Sequence, residues 1–112
     1  MTDNNFDPEI LNELMEKQRQ VHNSLELMKK YGAELAAAEC NYQVAKAKKA
    51  RELQDKGMSA AMITNVLKGD CAKELFNRMN AEALYKASQE KINVLKIDIR
   101  VLSSQIEREW NG

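Results

Sequence analysis

Apolar residues recur along this chain at steps of three and four positions, the spacing of one face of an α-helix. A first series runs through residues 11–35 and then slips by one position on its way to residue 53. The last series is more regular, with isoleucines and leucines at heptad positions over residues 92–106. Segments rich in strand-forming residues are missing. The pattern therefore predicts an all-α protein built from long helices.

Capping residues predict where the helices begin and end. Asp7 is a favourable N-cap and Pro8 suits the first helical position, whereas Gly57 suits the end of a helix. Ser59 can cap a short second helix and Asp70 a long third one. We expect a disordered N-terminus and a single helical-hairpin domain. The predicted ranges are 1–7 for the disordered segment, 8–112 for the domain, and 8–56, 60–68 and 71–110 for its helices.

The predicted fold class is a coiled-coil hairpin, in which two long antiparallel helices are joined by a short helix. If the short helix lies across the end of the long ones, Leu35 faces Ile92 and Tyr42 faces Tyr85. This register also leaves residues 8–16 projecting beyond the last helix.

Two sets of apolar side chains would stay uncovered in a lone hairpin, namely those of the projecting segment and a second row on the last helix. They are Ile10, Leu11, Leu14, Met15, Val94, Ile97 and Val101. We expect these side chains to form the interface of a homo-oligomeric bundle. The alternatives are a purely parallel dimer through the heptad positions and an apolar surface that stays in water.

Composition weighs against several classes of function. No apolar run approaches the roughly 20 residues that a membrane span needs, and the polar, acidic start is unlike a signal peptide. The two cysteines lack metal-motif spacing, and the single histidine, His22, has no nucleophile fixed beside it. We therefore expect a cytoplasmic protein with free thiols that is not an enzyme, with no catalytic residue, metal or cofactor.

The two cysteines have different predicted environments. Cys40 lies beside the apolar series in an alanine-rich stretch, where a buried thiol packs well. Cys71 falls in the predicted first turn of the last helix, where the helix dipole and the neighbouring Lys73 would lower the pKa of its thiol. A structural role for both is the simpler interpretation.

Charge is distributed unevenly, although the formal net charge is zero. Residues 1–43 carry four basic against eight acidic side chains, residues 44–73 seven against three, and residues 74–112 six against six. The basic residues of the middle segment are Lys46, Lys48, Lys49, Arg51, Lys56, Lys68 and Lys73. They are candidates for salt-sensitive contacts with nucleic acid or another anion. The alternative is a solvated helical face.

Two stretches carry a family resemblance: residues 33–58 read AELAAAECNYQVAKAKKARELQDKGM, and residues 81–110 read AEALYKASQEKINVLKIDIRVLSSQIEREW. They resemble a group of small helical proteins encoded by phages and prophages of Gram-positive bacteria. The resemblance implies a viral origin and a bacterial cytoplasmic setting. It assigns no activity and carries no functional residues over to this chain.

We therefore expect a non-enzymatic phage accessory protein that binds a host or phage macromolecule, with inhibition of a host defence system as one such role. The expected partners are the protein itself, an unidentified host or phage protein, and nucleic acid or a nucleotide, without a membrane. One alternative is a nucleic-acid-binding accessory to phage recombination or replication. Another is an oligomeric protein that sequesters an anionic signalling nucleotide.

Overall fold

The computed structural model describes residues 7–111, which form three helices: α1 (Pro8–Asp55), α2 (Ala60–Asp70) and α3 (Ala72–Asn111). No strand occurs within that range, so the all-α prediction is confirmed. Of the segment predicted to be disordered, residues 1–6 lie outside the described residues.

Helix α1 begins at the predicted cap. The Asp7 carboxylate accepts a hydrogen bond from the backbone N–H of Glu9 at 2.9 Å, and the Asp7 carbonyl accepts one from Ile10 at 3.2 Å. Pro8 occupies the first helical position, where a missing N–H costs nothing. The negative charge of Glu9 lies in the first turn, where the helix dipole favours it.

Gly57 follows the end of α1, also as predicted. Its φ of +81° lies in the left-handed region, which a side chain would strain. The N–H of Gly57 donates to the carbonyl of Gln54 at 2.9 Å, and the N–H of Met58 donates to that of Leu53 at 3.1 Å. These two bonds make a Schellman motif. Ser59 then begins α2 by accepting a bond from the N–H of Met62.

Cys71 alone separates α2 from α3, which corrects the predicted boundary between them. The N–H of Cys71 donates to the carbonyl of Leu67 at 2.9 Å, and the N–H of Leu75 donates to that of Cys71 at 3.0 Å. These are the last helical hydrogen bond of α2 and the first of α3, and Cys71 takes part in both. Gly69 does not end α2, because a glycine weakens a helix without necessarily stopping it. Asp70 closes α2 and is not the cap of the next helix.

The chain divides into two compact units. Unit 1 comprises Met1–Lys29 and Ala87–Gly112, and unit 2 comprises Lys30–Lys86. Unit 1 thus holds the beginning of α1 and the end of α3, while unit 2 holds all of α2 with the remaining parts of the long helices.

Within unit 2, two contacts set the register between α1 and α3. A Cβ placed on Gly32 would lie 3.2 Å from Cε1 of Tyr85, so the ring packs closely against the glycine. Oε2 of Glu39 lies 3.3 Å from Nε of Arg78. Residue numbers rise along α1 as they fall along α3, so the two segments are antiparallel in this unit.

The predicted register is wrong by ten residues, because Gly32 occupies the place beside Tyr85 that we expected Tyr42 to take. In unit 1, Nζ of Lys17 lies 3.5 Å from Oδ2 of Asp98, which the predicted register does not allow. The predicted projection of α1 beyond α3 depended on that register, so that prediction is also wrong.

The error arises from the placement of α2. We expected α2 to cross the end of the long helices, so that none of its residues would pair along α1. Instead the chain reverses at Gly57 and α2 lies alongside α1, where Oδ2 of Asp70 is 3.4 Å from Nζ of Lys49. Helix α2 is therefore the first part of the returning arm of unit 2.

The apolar core of each unit is thin. The buried residues are Leu53, Ile63, Cys71 and Ala81 in unit 2, and Ser24, Ser88, Ile92, Leu95 and Leu102 in unit 1. No described side chain is less than 2% exposed. Each unit therefore gains little hydrophobic stabilisation from its own interior.

Candidate functional site

The seven basic residues of the middle segment do not line a single cleft. Lys46 and Lys68 line one cleft of unit 2, whereas Lys48 and Lys73 line another. The remaining three, Lys49, Arg51 and Lys56, line neither of these clefts. Their placement reflects the geometry of α1, because residues two positions apart lie on different sides of a helix.

Lys49 is already paired with carboxylates. Its Nζ lies 3.4 Å from Oδ2 of Asp70 and 3.6 Å from Oε2 of Glu52. The hydrogen bond and charge of Asp70, and then the charge of Glu52, raise the pKa of Lys49. Arg51 and Lys56 are exposed. The positive charge available to a ligand is therefore smaller than the sequence count indicates.

The first cleft, which we name the Tyr42 cleft, has a volume of about 360 Å³. Its lining residues are Tyr42, Lys46, Thr64, Leu67, Lys68, Cys71 and Leu75. They come from all three helices, and all lie in unit 2. The volume falls within the usual range of small-molecule sites, about 300–1,000 Å³.

Two cations lie close to the ring of Tyr42. Nζ of Lys46 lies 4.8 Å from the ring centroid, and Cζ of Arg78 lies 5.6 Å from it. Both distances suit a cation–π interaction. Elsewhere in the cleft, the hydroxyl of Thr64 donates to the carbonyl of Ala60 at 3.1 Å. Its hydrogen is thus engaged, while its oxygen can still accept.

The second cleft, which we name the Lys48 cleft, is larger, at about 650 Å³. Lys48 and Lys73 line it together with Glu34 and Glu74, so its charges balance. One carboxylate oxygen of Glu74 is buried without a hydrogen-bond partner. An anion is therefore less favoured here than in the Tyr42 cleft, whose lining includes no carboxylate.

Both cysteines differ from expectation, although both are free thiols as predicted. Cys40 is exposed, because the register turns its side of α1 to solvent. Cys71 is buried, and burial, followed by the charges of Glu74 and Asp70, raises the pKa of its thiol. We predicted a lowered pKa from an open helix N-terminus. Burial and the charges of these two carboxylates outweigh the lowering effect of the positive charges of Lys46 and Lys49.

Exposure divides the seven predicted interface residues. Met15 is 59% exposed, Val94 50%, Ile97 53%, Val101 58% and Leu11 36%, while Ile10 and Leu14 are half-buried. The same stretch of α3 buries Ile92, Leu95 and Leu102. It therefore carries two apolar rows, one packed inside unit 1 and one facing out. We call Val94, Ile97 and Val101 the exposed row.

Opposite charges lie at the two ends of the exposed row. Glu90 is four positions before Val94, and Arg108 is seven positions after Val101, so helical spacing places both on the face of the row. Both side chains are exposed. Within residues 7–111 neither of them forms an ion pair.

Arg78 is a structural residue that sequence reasoning missed. Besides Glu39 and the Tyr42 ring, it contacts Glu82, with Nη1 3.8 Å from Oε2. Glu82 in turn lies 2.9 Å from Lys86. The four-residue steps from Arg78 to Glu82 to Lys86 were visible in the sequence. The contacts with α1 were not, because they depend on the register.

The described part of the chain contains no group of three or more His, Cys, Asp or Glu side chains that could hold a metal ion. His22 is exposed on α1. Over the same residues, none of the helices combines the length and apolar character needed to cross a membrane.

Comparison of the chain with protein-family models, with curated proteins and with solved structures finds no match.

Proposed function

We propose that this chain is a non-enzymatic helical binding protein that works as a homo-oligomer, with a second copy of the chain covering the exposed row. In this proposal each copy is a hairpin of two long helices, and the copies assemble into an oligomeric bundle. The observation that carries it is the pair of apolar rows on α3: one is buried within unit 1 and the other is 50–58% exposed. A helix with two apolar sides has a second surface to bury.

Energy favours covering the row. Full burial of a Val or Ile side chain is worth about 1.5–3 kcal/mol relative to exposure, and each member of the row has half or more of its surface still in water. Because the row repeats in every copy, a two-fold assembly gains this term twice. A thin interior makes that gain a larger share of the total stability.

Charge complementarity supports a second copy as the occupant. If two α3 helices pack antiparallel about a two-fold axis between residues 97 and 101, Ile97 of each copy meets Val101 of the other. Glu90 then meets Arg108 at both ends of the contact, so opposite charges pair twice. A partner of unrelated sequence would not need this self-complementary pattern.

In this form the protein acts in the cytoplasm of a bacterial host, as a phage accessory that binds a host or phage macromolecule. Inhibition of a host defence system is one such role. The setting rests on the resemblance of residues 33–58 and 81–110 to helical phage proteins. Nucleic-acid binding has less support, because Lys49 is paired with carboxylates and the other lysines divide between two clefts.

Charge reversal tests the assembly. Glu90→Arg alone, or Arg108→Glu alone, places like charges at both ends of the contact. An exposed ion pair is worth about 0–1 kcal/mol, so replacing two attractive pairs with two repulsive pairs weakens association by about tenfold or more. The double variant restores opposite charges and should recover the wild-type constant. Sedimentation equilibrium measures the association constants of the wild type, the two single variants and the double variant.

Two control variants make the same charge changes off the row. Lys96→Glu and Glu107→Arg alter exposed positions on another side of α3 and should leave the association constant unchanged. A wild-type mass equal to one chain at every concentration refutes the homo-oligomer. A double variant that stays dissociated refutes the antiparallel pairing.

A further inference from the structure

Two lysines of the Tyr42 cleft have no acidic counterpart. Lys46 comes from α1 and Lys68 from α2, and both line the same cleft. Within residues 7–111 neither forms an ion pair with a carboxylate. Asp70, the carboxylate next to Cys71 in the chain, is engaged by Lys49. The cleft therefore presents two ammonium groups to whatever enters it.

The rest of the lining is mostly apolar. Leu67, Leu75, the ring of Tyr42 and the thiol of Cys71 contribute little polar surface, and Thr64 offers a hydroxyl oxygen as an acceptor. A cleft of about 360 Å³ suits a small molecule and is too small for a folded partner. Its chemistry favours a ligand with an anionic end and a ring-shaped or alkyl body.

We propose that the Tyr42 cleft binds a small phosphate monoester, with Lys46 and Lys68 holding the phosphate and the apolar lining holding the organic body. A phosphate monoester carries a charge of about −1.5 to −2 at pH 7, which matches two lysines, whereas a carboxylate would neutralise only one. This inference is independent of the proposed assembly, since the cleft lies in unit 2 and the exposed row in unit 1.

Calorimetric titration of the full chain with four probes at physiological salt tests the ligand class. Adenosine 5′-monophosphate and phenyl phosphate carry both parts of the proposed ligand, adenosine lacks the phosphate, and inorganic phosphate lacks the body. We expect at least one monoester to bind at least about tenfold more tightly than either partial probe, because charge-assisted hydrogen bonds and apolar burial add. Failure of both monoesters to bind at millimolar concentration overturns the proposal. Equal binding of adenosine and its monophosphate, with phenyl phosphate inactive, also overturns it.

Matched double variants locate the site. Lys46→Gln with Lys68→Gln removes both charges of the Tyr42 cleft and should weaken monoester binding by about tenfold or more. Lys48→Gln with Lys73→Gln removes the same charge from the other cleft and should leave binding within about twofold, because salt screens distant charges. Equal weakening by the two double variants means diffuse attraction by unit 2 and overturns the proposal. Circular dichroism verifies that both fold.

A second readout needs no change in the lysines. In a Cys40→Ser background, Cys71 is the remaining thiol and lines the proposed site. A bound monoester should slow its alkylation, whereas adenosine at the same concentration should not. An alkylation rate that no monoester changes overturns occupancy of this cleft.

Discussion

At the residue scale, Gly57 and Gly69 differ in backbone conformation and not in the space around them. Gly57 has a φ of +81° and closes the Schellman motif, whereas Gly69 lies within α2. Apart from the adjacent residues and, for Gly69, the backbone of its own helix, no heavy atom lies within 4 Å of a Cβ built on either residue. Backbone conformation alone therefore separates the two sites.

Alanine should have opposite effects at the two glycines. Gly57→Ala is expected to cost about 1–2 kcal/mol, because an alanine resists the left-handed conformation. Gly69→Ala is expected to add about 0.5–1 kcal/mol, because alanine is the better helix former. Thermal unfolding followed by circular dichroism measures both. Gly57→Asn is the control and should lose less than Gly57→Ala, since asparagine tolerates this region. Equal stability of Gly57→Ala and wild type would contradict the assigned cap.

The two thiols should differ in reactivity. Cys40 is exposed, while Cys71 is buried and has a pKa raised by burial and by the charges of Glu74 and Asp70. With iodoacetamide at pH 8 we expect Cys71 to react at least about tenfold more slowly, because the thiolate is the nucleophile. Peptide mass spectrometry measures the two rates. Equal alkylation rates in the folded protein would contradict the burial of Cys71. As the control, the two thiols should react at equal rates in denaturant.

The raised pKa of Cys71 also affects stability at high pH. The thiol ionises more easily in the unfolded chain, so the contribution of Cys71 is fully present below the unfolded pKa. It is lost as pH rises through the folded pKa. The burial of Cys71 could not be predicted from the sequence, because it depends on where α2 lies against α1. The caps at Asp7 and Ser59 could be, because each involves a few neighbouring residues.

At the scale of the elements, helix positions were predictable but the register was not. The observed neighbour of Tyr85, Gly32, and the predicted one, Tyr42, are ten residues apart, which is one heptad plus a step of three. A shift of that size places apolar stripe on apolar stripe again. Only local details distinguish the two registers, such as the room that Gly32 leaves for the ring.

Arg78 should contribute to the pairing of α1 and α3 in unit 2. Arg78→Ala removes contacts with Glu39, Glu82 and the Tyr42 ring, and is expected to cost about 1–2 kcal/mol. That cost corresponds to a fall in Tm of about 4–16 °C if the unit unfolds as a small domain. Lys86→Ala is the matched control: its side chain is 70% exposed and its ion pair is with Glu82 of the same helix, so Tm should change little. Equal shifts for the two variants would contradict this role.

At the scale of the whole molecule, the basic segment could be located from the sequence, but the division of its lysines between two clefts could not. Lys46 and Lys48 are two positions apart on α1, so they could not share a face, and the structure assigns them to different clefts. Helical geometry alone therefore predicts that Lys46 and Lys48 lie on different faces. The pairing of Lys49 with Asp70 could not be predicted, because it depends on where α2 lies.

Self-association should make stability depend on concentration. If a second copy covers the exposed row, Tm should rise by several degrees over a hundredfold increase in protein concentration, because mass action favours the assembled state. Val94→Thr with Val101→Thr preserves side-chain shape while adding hydroxyls, and should remove most of that dependence. Val44→Thr is the control, at a 46% exposed position in unit 2. A Tm that is independent of concentration in the wild type would contradict assembly.

The tight turn at Gly57 also sets an order in which unit 2 can fold. Lys49 and Asp70 are 21 residues apart along the chain, whereas Glu39 and Arg78 are 39 apart. Because the entropy lost on closing a loop grows with the logarithm of its length, contacts nearest the turn form at the lowest cost. Each closure shortens the loop that remains for the next one. Unit 2 can therefore fold as a zipper that starts at Gly57, with local contacts that favour rapid folding.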